Sequence, residues 1–369
     1  MCNIAGYVGE KRAATILIEM LKRQEGFDGG VCTGITTLHN GRLYTRRIVG
    51  DVKKLLETTD ALSLPGNIGI AHSRPGGTPE TYGHTHPFVT YDGKIAGVTN
   101  GTLRGIKSQD VFQKYLNLLE ENGYSLSSEA FIKSDGSLLT KNGGVPNPAD
   151  VRTSVMHYYH TRCGMPLTAA MARTDSDDMF KDGVIELINR DTPDRLYVLR
   201  TTRPAVTLRT EDGTYIATTR FAFPEDTPGE VTQLPVMHPC EIFKDRTEVS
   251  EYKIEAPEPV AEITDYTLEE GYKRISELLL GKADAPLHFD DLEFAVFRGM
   301  KDLFPGNCPI LQDARLVYDV LWRLHTEGRL KIKPILLVNG EKCPEDGEYA
   351  RDARFIPGSK LRYHMWIDN

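Results

Sequence analysis

Along residues 1–250 the apolar positions fall into many short runs bounded by turn residues, with few helical stripes among them. Ile4 to Val8 reads as a strand. Ala13, Ile16, Leu17, Met20 and Leu21 recur at helical spacing and predict a helix from Ala13 to Arg23, stopped by Gly26. Cys32 to Leu38 and Gly41 to Ile48 read as strands joined at His39-Asn40-Gly41, an Asn-Gly hairpin signal. Further strands are expected at Asn67 to Ala71 and, after the turn Tyr91-Asp92-Gly93, at Lys94 to Val98. Val111 to Glu120 reads as a helix. Leu196 to Arg200, Ala205 to Leu208 and Thr214 to Ala217 read as sheet, with a turn at Glu211-Asp212-Gly213. This mixture is α+β rather than a regular βαβ alternation.

The pattern changes near Glu255-Ala256-Pro257-Glu258-Pro259, where two prolines flanked by acids suggest a linker. The expected division is therefore a domain over residues 1–255 and a small one over 256–369. In the second, Thr267 with Glu270 predicts a capping box opening a helix to Leu280, and Asp290 with Glu293 predicts a second helix start. Asp313 to Thr326 forms a third stripe through Leu316, Val317, Val320, Leu321 and Leu324. Gly328 ends it, and Leu330 to Val338 follows as a strand. Helices followed by a strand pair suggest a small α/β, winged-helix-like unit. Its 20 acidic against 15 basic residues give the wrong sign for a DNA-binding wing.

Charge and composition narrow the class. Of 369 residues, 44 are basic and 52 acidic, a net charge of −8 that argues against nonspecific binding to nucleic acid or anionic membrane. No apolar stretch approaches the roughly 18 residues of a membrane span, and the start lacks the pattern of a signal peptide. Cys2, Cys32, Cys163, Cys240, Cys308 and Cys343 are scattered with no CxxC pair, so neither a zinc knuckle nor a disulfide framework is expected. A reducing cytoplasm fits this usage. His72, His84 and His86 could suggest a metal, but further ligands would have to be guessed, and none is expected. No cofactor is implied.

Cys2 stands out by position. A cysteine is ordinarily a small buried hydrophobe. If Met1 is removed, however, Cys2 carries both a thiol and a free α-amine, whose pKa near 8 suits a base near neutral pH. An N-terminal nucleophile paired with its own amine is a known route to acyl transfer. Such chemistry needs donors aimed at the developing oxyanion. Val98-Thr99-Asn100-Gly101 follows a predicted strand and offers a side-chain amide and an unobstructed backbone N–H, although Asn-Gly alone is a turn signal. Arg74, in Ala71-His72-Ser73-Arg74-Pro75-Gly76-Gly77-Thr78, is suited to forking a carboxylate, although alone it would read as a surface ion pair.

Together and in this order, Met1-Cys2-Asn3-Ile4, Glu25-Gly26-Phe27-Asp28-Gly29, Ala71-His72-Ser73-Arg74, His86-Pro87 and Thr99-Asn100-Gly101 resemble the class II, N-terminal-nucleophile glutamine amidotransferases. The likeness is to the glutaminase half of glucosamine-6-phosphate synthase. Gly123-Tyr124, Ser134-Asp135-Gly136 and the strand pair from Pro204 to Phe221 extend it over about residues 1–245. The resemblance implies a four-layer αββα sandwich and a glutaminase. Cys2 would attack the side-chain amide of glutamine, Asn100 and Gly101 would hold the oxyanion, and Arg74 would bind the α-carboxylate. Asp135 would take the α-ammonium, and Thr78 and His86 would line the glutamine site. Five departures stand out. Asn3 stands for the usual glycine, Glu25 for an arginine, Pro75 for a tryptophan, Gly76-Gly77-Thr78 for an Ala-Thr-His run, and Thr99 for a histidine. They leave two further readings, a non-catalytic glutamine-sensing or scaffold relative and a hydrolase of another amide. Residues 256–369 are too short for the paired sugar-phosphate isomerase module of relatives and show no phosphoribosyltransferase loop. The expected ammonia acceptor is therefore handled by a separate synthase chain or by this small domain itself.

Overall fold

The computed structural model describes residues 1–76, 85–101, 109–128, 146–177, 183–255, 260, 262–305, 312–338 and 359–368. In chain order the first elements are β1 (Asn3–Gly9), α1 (Ala13–Gln24), β2 (Cys32–His39), β3 (Arg42–Val49), α2 (Val52–Thr58), β4 (Ile68–Arg74), β5 (Phe88–Val89) and β6 (Ile95–Asn100). Then come α3 (Gln109–Glu121), α4 (Pro148–Thr161), α5 (Leu167–Ser176), β7 (Val184–Asn189), β8 (Arg195–Arg200), β9 (Val206–Thr210), β10 (Gly213–Ala217), β11 (Glu230–Gln233), β12 (Cys240–Phe243) and β13 (Thr247–Val249). The C-terminal part adds α6 (Asp265–Leu279), α7 (Phe289–Gly299), α8 (Asp313–Thr326), β14 (Leu330–Val338) and β15 (Ser359–Ile367).

A seven-stranded sheet runs β11-β9-β10-β1-β4-β2-β3, and a six-stranded sheet runs β13-β12-β8-β7-β6-β5. Strand alternation decides what each face meets. Ala5 and Tyr7 of β1 pack with Leu17, Ile18 and Leu21 of α1. Ile4 and Val8 face the other way, onto Ala96, Val98, Val184 and Ile188 of the second sheet. That sheet's far face, with Ile95, Ile185 and Leu187, packs on Met156 of α4 and Met171 of α5. The result is a mixed α/β architecture with β1 at the centre of its sheet. Among the described residues no helix is long and apolar enough to cross a membrane.

The expected hairpin is present, with Asn40 and Gly41 both at positive φ, as a two-residue turn of this kind requires. Two helix starts differ from expectation. The cap of α6 is Thr264, whose hydroxyl accepts from Thr267 N, while Thr267 is buried and donates to Leu303 O. The cap of α7 is His288, in a capping box with Asp291. Helix α4 was not expected at all. It packs Val151, Val155, Tyr158 and Tyr159 on α3 but also buries Asp150, Arg152, Thr153, Ser154 and His157, which dilute that stripe, and Arg152 forks the carboxylate of Asp175 on α5. The linker residues 256–259 lie outside the described residues.

Helices α6, α7 and α8 and the hairpin β14–β15 share a core that includes Ile275, Phe289, Leu292, Val317, Leu321 and Met365. Phe27, from the loop after α1, is inserted into that same core, 1% exposed. Its ring lies 4.6 Å from Phe221 and 5.0 Å from Tyr363, centroid to centroid. Gly26 is required here, because a Cβ would lie 2.4 Å from the Tyr363 ring. Truncating Phe27 to alanine leaves a cavity where the C-terminal helices meet the loop of the first part. The expected loss is about 3–5 kcal/mol, read from denaturant midpoints at unchanged m-value.

One buried group works against stability. Glu186 of β7 points between the sheets with neither carboxyl oxygen hydrogen-bonded among the described residues, and burial pushes its pKa well above the ordinary 4.5. Gly6 makes room for it, since a Cβ there would sit 1.7 Å from Oε1. The folded protein keeps this proton while the unfolded chain releases it above pH 4.5. Stability is therefore full below that value and falls as pH rises towards the raised folded value, by about 1.4 kcal/mol per pH unit. In Glu186→Gln this contribution to the slope disappears. Denaturation at a series of pH values above the ordinary carboxylate range should show the variant gaining on wild type as pH rises. Parallel curves would mean that Glu186 is ionised in the folded state.

Candidate active site

Cys2 immediately precedes β1, which is held between β10 and β4. Because Ile4 and Val8 face the second sheet, the alternation places Cys2 on that side and Asn3 on the opposite one. Asn100 is the last residue of β6, in the second sheet, and is fully buried. The Cys2 N–H donates to Asn100 Oδ1 at 2.9 Å and ties the two strand ends together. That bond assigns the amide orientation. Asn100 Nδ2 is then left buried, with no hydrogen-bond partner among the described residues. Gly101 follows directly.

Two histidines fix the backbone behind Asn100. His86 Nδ1 accepts from Thr99 N at 3.1 Å, and His72 Nε2 donates to Thr99 O at 3.0 Å. The two rings stack with centroids 4.1 Å apart. Burial, reinforced by the Arg74 charge, pushes the His72 pKa down to about 3, so this ring stays neutral and keeps the tautomer that the carbonyl demands.

The electrostatics around Cys2 oppose one another. Burial pushes the thiol pKa up, while the neighbouring amino group and Arg74 pull it down; the net shift is upward. The resting sulfur is therefore a thiol and needs a base. The Met1 amino group is buried and ion-paired with the Asp28 carboxylate. Burial alone would lower its pKa, but Asp28, Asp290 and Glu293 raise it to about 11. With Met1 in place, Cys2 N is an amide without basic character.

The departures from the resembled motifs now have physical explanations. Asn3 does not crowd the thiol: it points to the other face of β1, and its Nδ2 donates to Asp28 O at 2.5 Å. Glu25 caps the start of α2, accepting from Val52 N at 2.7 Å. Burial raises its pKa to about 8, so it is neutral at pH 7 and the apparent charge reversal is muted. Pro75 O accepts from Lys360 Nζ at 3.2 Å, which brings β15 onto the turn after Arg74. Arg74 ends β4, where its charge reaches the Cys2 thiol. Thr78 and Asp135 lie outside the described residues. His86 supports Thr99. Among the described residues no group of three or more His, Cys, Asp or Glu could hold a metal ion.

Sequence reasoning missed Arg203, Asp290, Glu293 and Lys360. Arg203 Nη1 lies 3.6 Å from Met1 Sδ and pairs with Glu293 of α7. These residues act on Met1 and on the turn after Arg74 from 200 or more positions along the chain, and no local signal marks them.

No family model matches the chain. Over 146 residues it is 32% identical to a glutamine–fructose-6-phosphate aminotransferase (isomerizing) of Pyrococcus horikoshii, an alignment covering 38% of this chain and 23% of that protein. Against the protein of the same description in Clostridium acetobutylicum it is 26% identical over 224 residues, 59% of this chain and 31% of the relative. The chain thus spans less than a third of the length of these curated relatives. Among solved structures, glutamine phosphoribosylpyrophosphate amidotransferase of B. subtilis, in complex with ADP and GMP, superposes with a TM-score of 0.54. The identity is 13%, and the superposition covers 75% of this chain and 58% of that one. The chain is similar to the class II, N-terminal-nucleophile glutamine amidotransferases, in sequence to the first relatives and in fold to the second. Within that class its sequence likeness is to the glutamine–fructose-6-phosphate aminotransferases.

Proposed function

We propose that the chain is a glutaminase, hydrolysing the side-chain amide of glutamine to glutamate and ammonia through a Cys2 thioester. The observation that carries this reading is Asn100: its Oδ1 accepts from Cys2 N, leaving a buried Nδ2 with no hydrogen-bond partner among the described residues. Removal of Met1 gives Cys2 a basic α-amine, which takes the thiol proton as Sγ attacks the amide carbon. Asn100 Nδ2 and Gly101 N–H hold the oxygen as it gains charge. The amine passes its proton to the departing nitrogen, ammonia leaves, and water then cleaves the thioester, restoring the thiol and releasing glutamate. Arg74 binds the α-carboxylate, and the resemblance assigns Thr78, His86 and Asp135 to the rest of the glutamine site. The two packed sheets, with helices on their outer faces, support a four-layer αββα sandwich over residues 1–255. Residues 256–369 form a small winged-helix-like unit, and the ammonia passes to an acceptor on this unit or on a synthase partner.

Diazo-oxo-norleucine, a glutamine analogue with an electrophilic carbon, should label Cys2 of Met1-free protein stoichiometrically, as read by intact mass and peptide mapping. Label on another cysteine, or none, contradicts the proposal. One observation favours a second reading, a non-catalytic relative: the Met1 amino group is buried in an ion pair. If purified protein from its native host retains Met1, that reading replaces the first.

A further inference from the structure

Strand β15 of the C-terminal part meets the first part of the chain at two places near the start of β1. Tyr363 N donates to Gly26 O at 2.6 Å, and Lys360 Nζ donates to Pro75 O at 3.2 Å. The two segments held in this way are also joined to each other. Val31 N donates to Arg74 O at 3.0 Å, and Gly30 N donates to Ser73 Oγ at 2.8 Å. Ser73 in turn pairs in register with Asn3, the residue after Cys2. Alternation puts Lys360, Arg362 and His364 on one face of β15, and all three are buried.

Lysine is seldom fully buried without a charged partner, because its ammonium group loses hydration. Lys360 is 3% exposed, and among the described residues its side chain makes one hydrogen bond, to the carbonyl of Pro75. Its stem passes Gly30, where an added Cβ would stand 3.6 Å from Lys360 Cγ. Pro75 carries no N–H, and it restricts Arg74 before it to extended backbone. The turn after β4 is therefore tied through its carbonyls, Arg74 O on Val31 N and Pro75 O on Lys360 Nζ. Those two bonds fix the two peptide units that follow the Arg74 Cα. We propose that Lys360 is a positioning residue for Arg74: by holding the Pro75 carbonyl it sets the direction in which the guanidinium leaves β4, and so the affinity for the carboxylate that Arg74 binds. Forked pairing of a guanidinium with a carboxylate depends on direction as well as charge, which makes it sensitive to such a support. On the glutaminase reading above, on which this rests, the C-terminal unit thereby contributes a residue to the glutamine site.

Steady-state glutaminase kinetics on full-length, Met1-free protein test this role. Lys360→Met keeps the stem and removes the donor. It should raise KM for L-glutamine roughly 10-fold, the low end for a charge-assisted hydrogen bond, and leave kcat unchanged. Lys360→Arg keeps a cationic donor and should recover most of that loss. A double-mutant cycle separates positioning from a general structural role. Arg74→Lys keeps the charge but not the directional fork, so in that background Lys360→Met should change KM little. If Lys360→Met does not fold, Lys360→Gln, neutral and shorter, takes its place in the cycle. Additive effects of the two substitutions on KM would overturn the inference, as would a loss confined to kcat. Wild type that releases no ammonia from glutamine would overturn the glutaminase reading, and this inference with it. Wild-type turnover combined with additive effects would overturn the role of Lys360 alone.

Discussion

Replacing Cys2 by alanine should reduce ammonia release from glutamine by roughly 10⁴-fold or more, to the background rate, without altering the fold. The size of the effect follows from the site's economy of parts. On the proposed mechanism one residue supplies the attacking sulfur and the base, so the substitution removes the thioester route altogether. Alanine at this position keeps the backbone N–H that reaches Asn100 Oδ1 at 2.9 Å, so the geometry of the strand ends should persist. Cys2→Ser, which keeps a nucleophile of much higher pKa, should fall between the two. Melting temperatures unchanged from wild type would place the whole loss in the chemistry.

Asn100→Ala is expected to lower kcat by about 10²–10³-fold, with a smaller change in KM, the signature of a donor that acts on the transition state. Asn100 has two jobs that a second variant separates. Asn100→Asp keeps the acceptor for Cys2 N but places a negative charge where the oxyanion forms, so its kcat should fall further than that of alanine. If the aspartate variant retained near wild-type kcat, the role of Asn100 would be to anchor Cys2 and the oxyanion would have to be held elsewhere. His72 and His86 enter through the same residue. They hold the backbone N–H and the carbonyl of Thr99, so changes at either should act on kcat by loosening Asn100.

Much of this arrangement was legible in the sequence because it is local. The β1 strand, the α1 stripe, the Asn-Gly hairpin and the α8 stripe each announce themselves within a dozen residues, and each lies within a few residues of its expected bounds. Cys2, Asn100 and Arg74 could be picked out as types suited to one chemistry, and the structure brings Cys2 and Asn100 into contact across 98 positions. What could not be read depended on distant partners. Glu25 looks like a charge reversal until its cap on α2 and its burial are known. Asn3 looks like an obstruction until strand alternation places it on the far face of β1. Helix α4 hides because its buried residues include Arg152, Asp150 and His157, whose partners lie on α5, in the loop after α3 and in the turn between β5 and β6. Phe27 reads as one residue of a glutaminase motif, yet it fills the core of the C-terminal helices.

That last contact bears on how the chain works as a unit. The loop Glu25–Asp28 carries the α2 cap, the ring that enters the C-terminal core, and the carboxylate paired with the Met1 ammonium. Tyr363 N of β15 donates to Gly26 O at 2.6 Å, so the C-terminal hairpin holds the same loop by its backbone. Loosening Phe27 should therefore disturb the surroundings of Cys2 as well as the stability of the C-terminal helices.

The most direct measurement is ammonia release from L-glutamine by protein whose N-terminal residue has been verified by intact mass as Cys2. The account predicts turnover that depends on Cys2 and is lost when Met1 is retained. Protein with a verified N-terminal Cys2 that releases no ammonia from glutamine, alone or with cell extract supplying an acceptor, would contradict it.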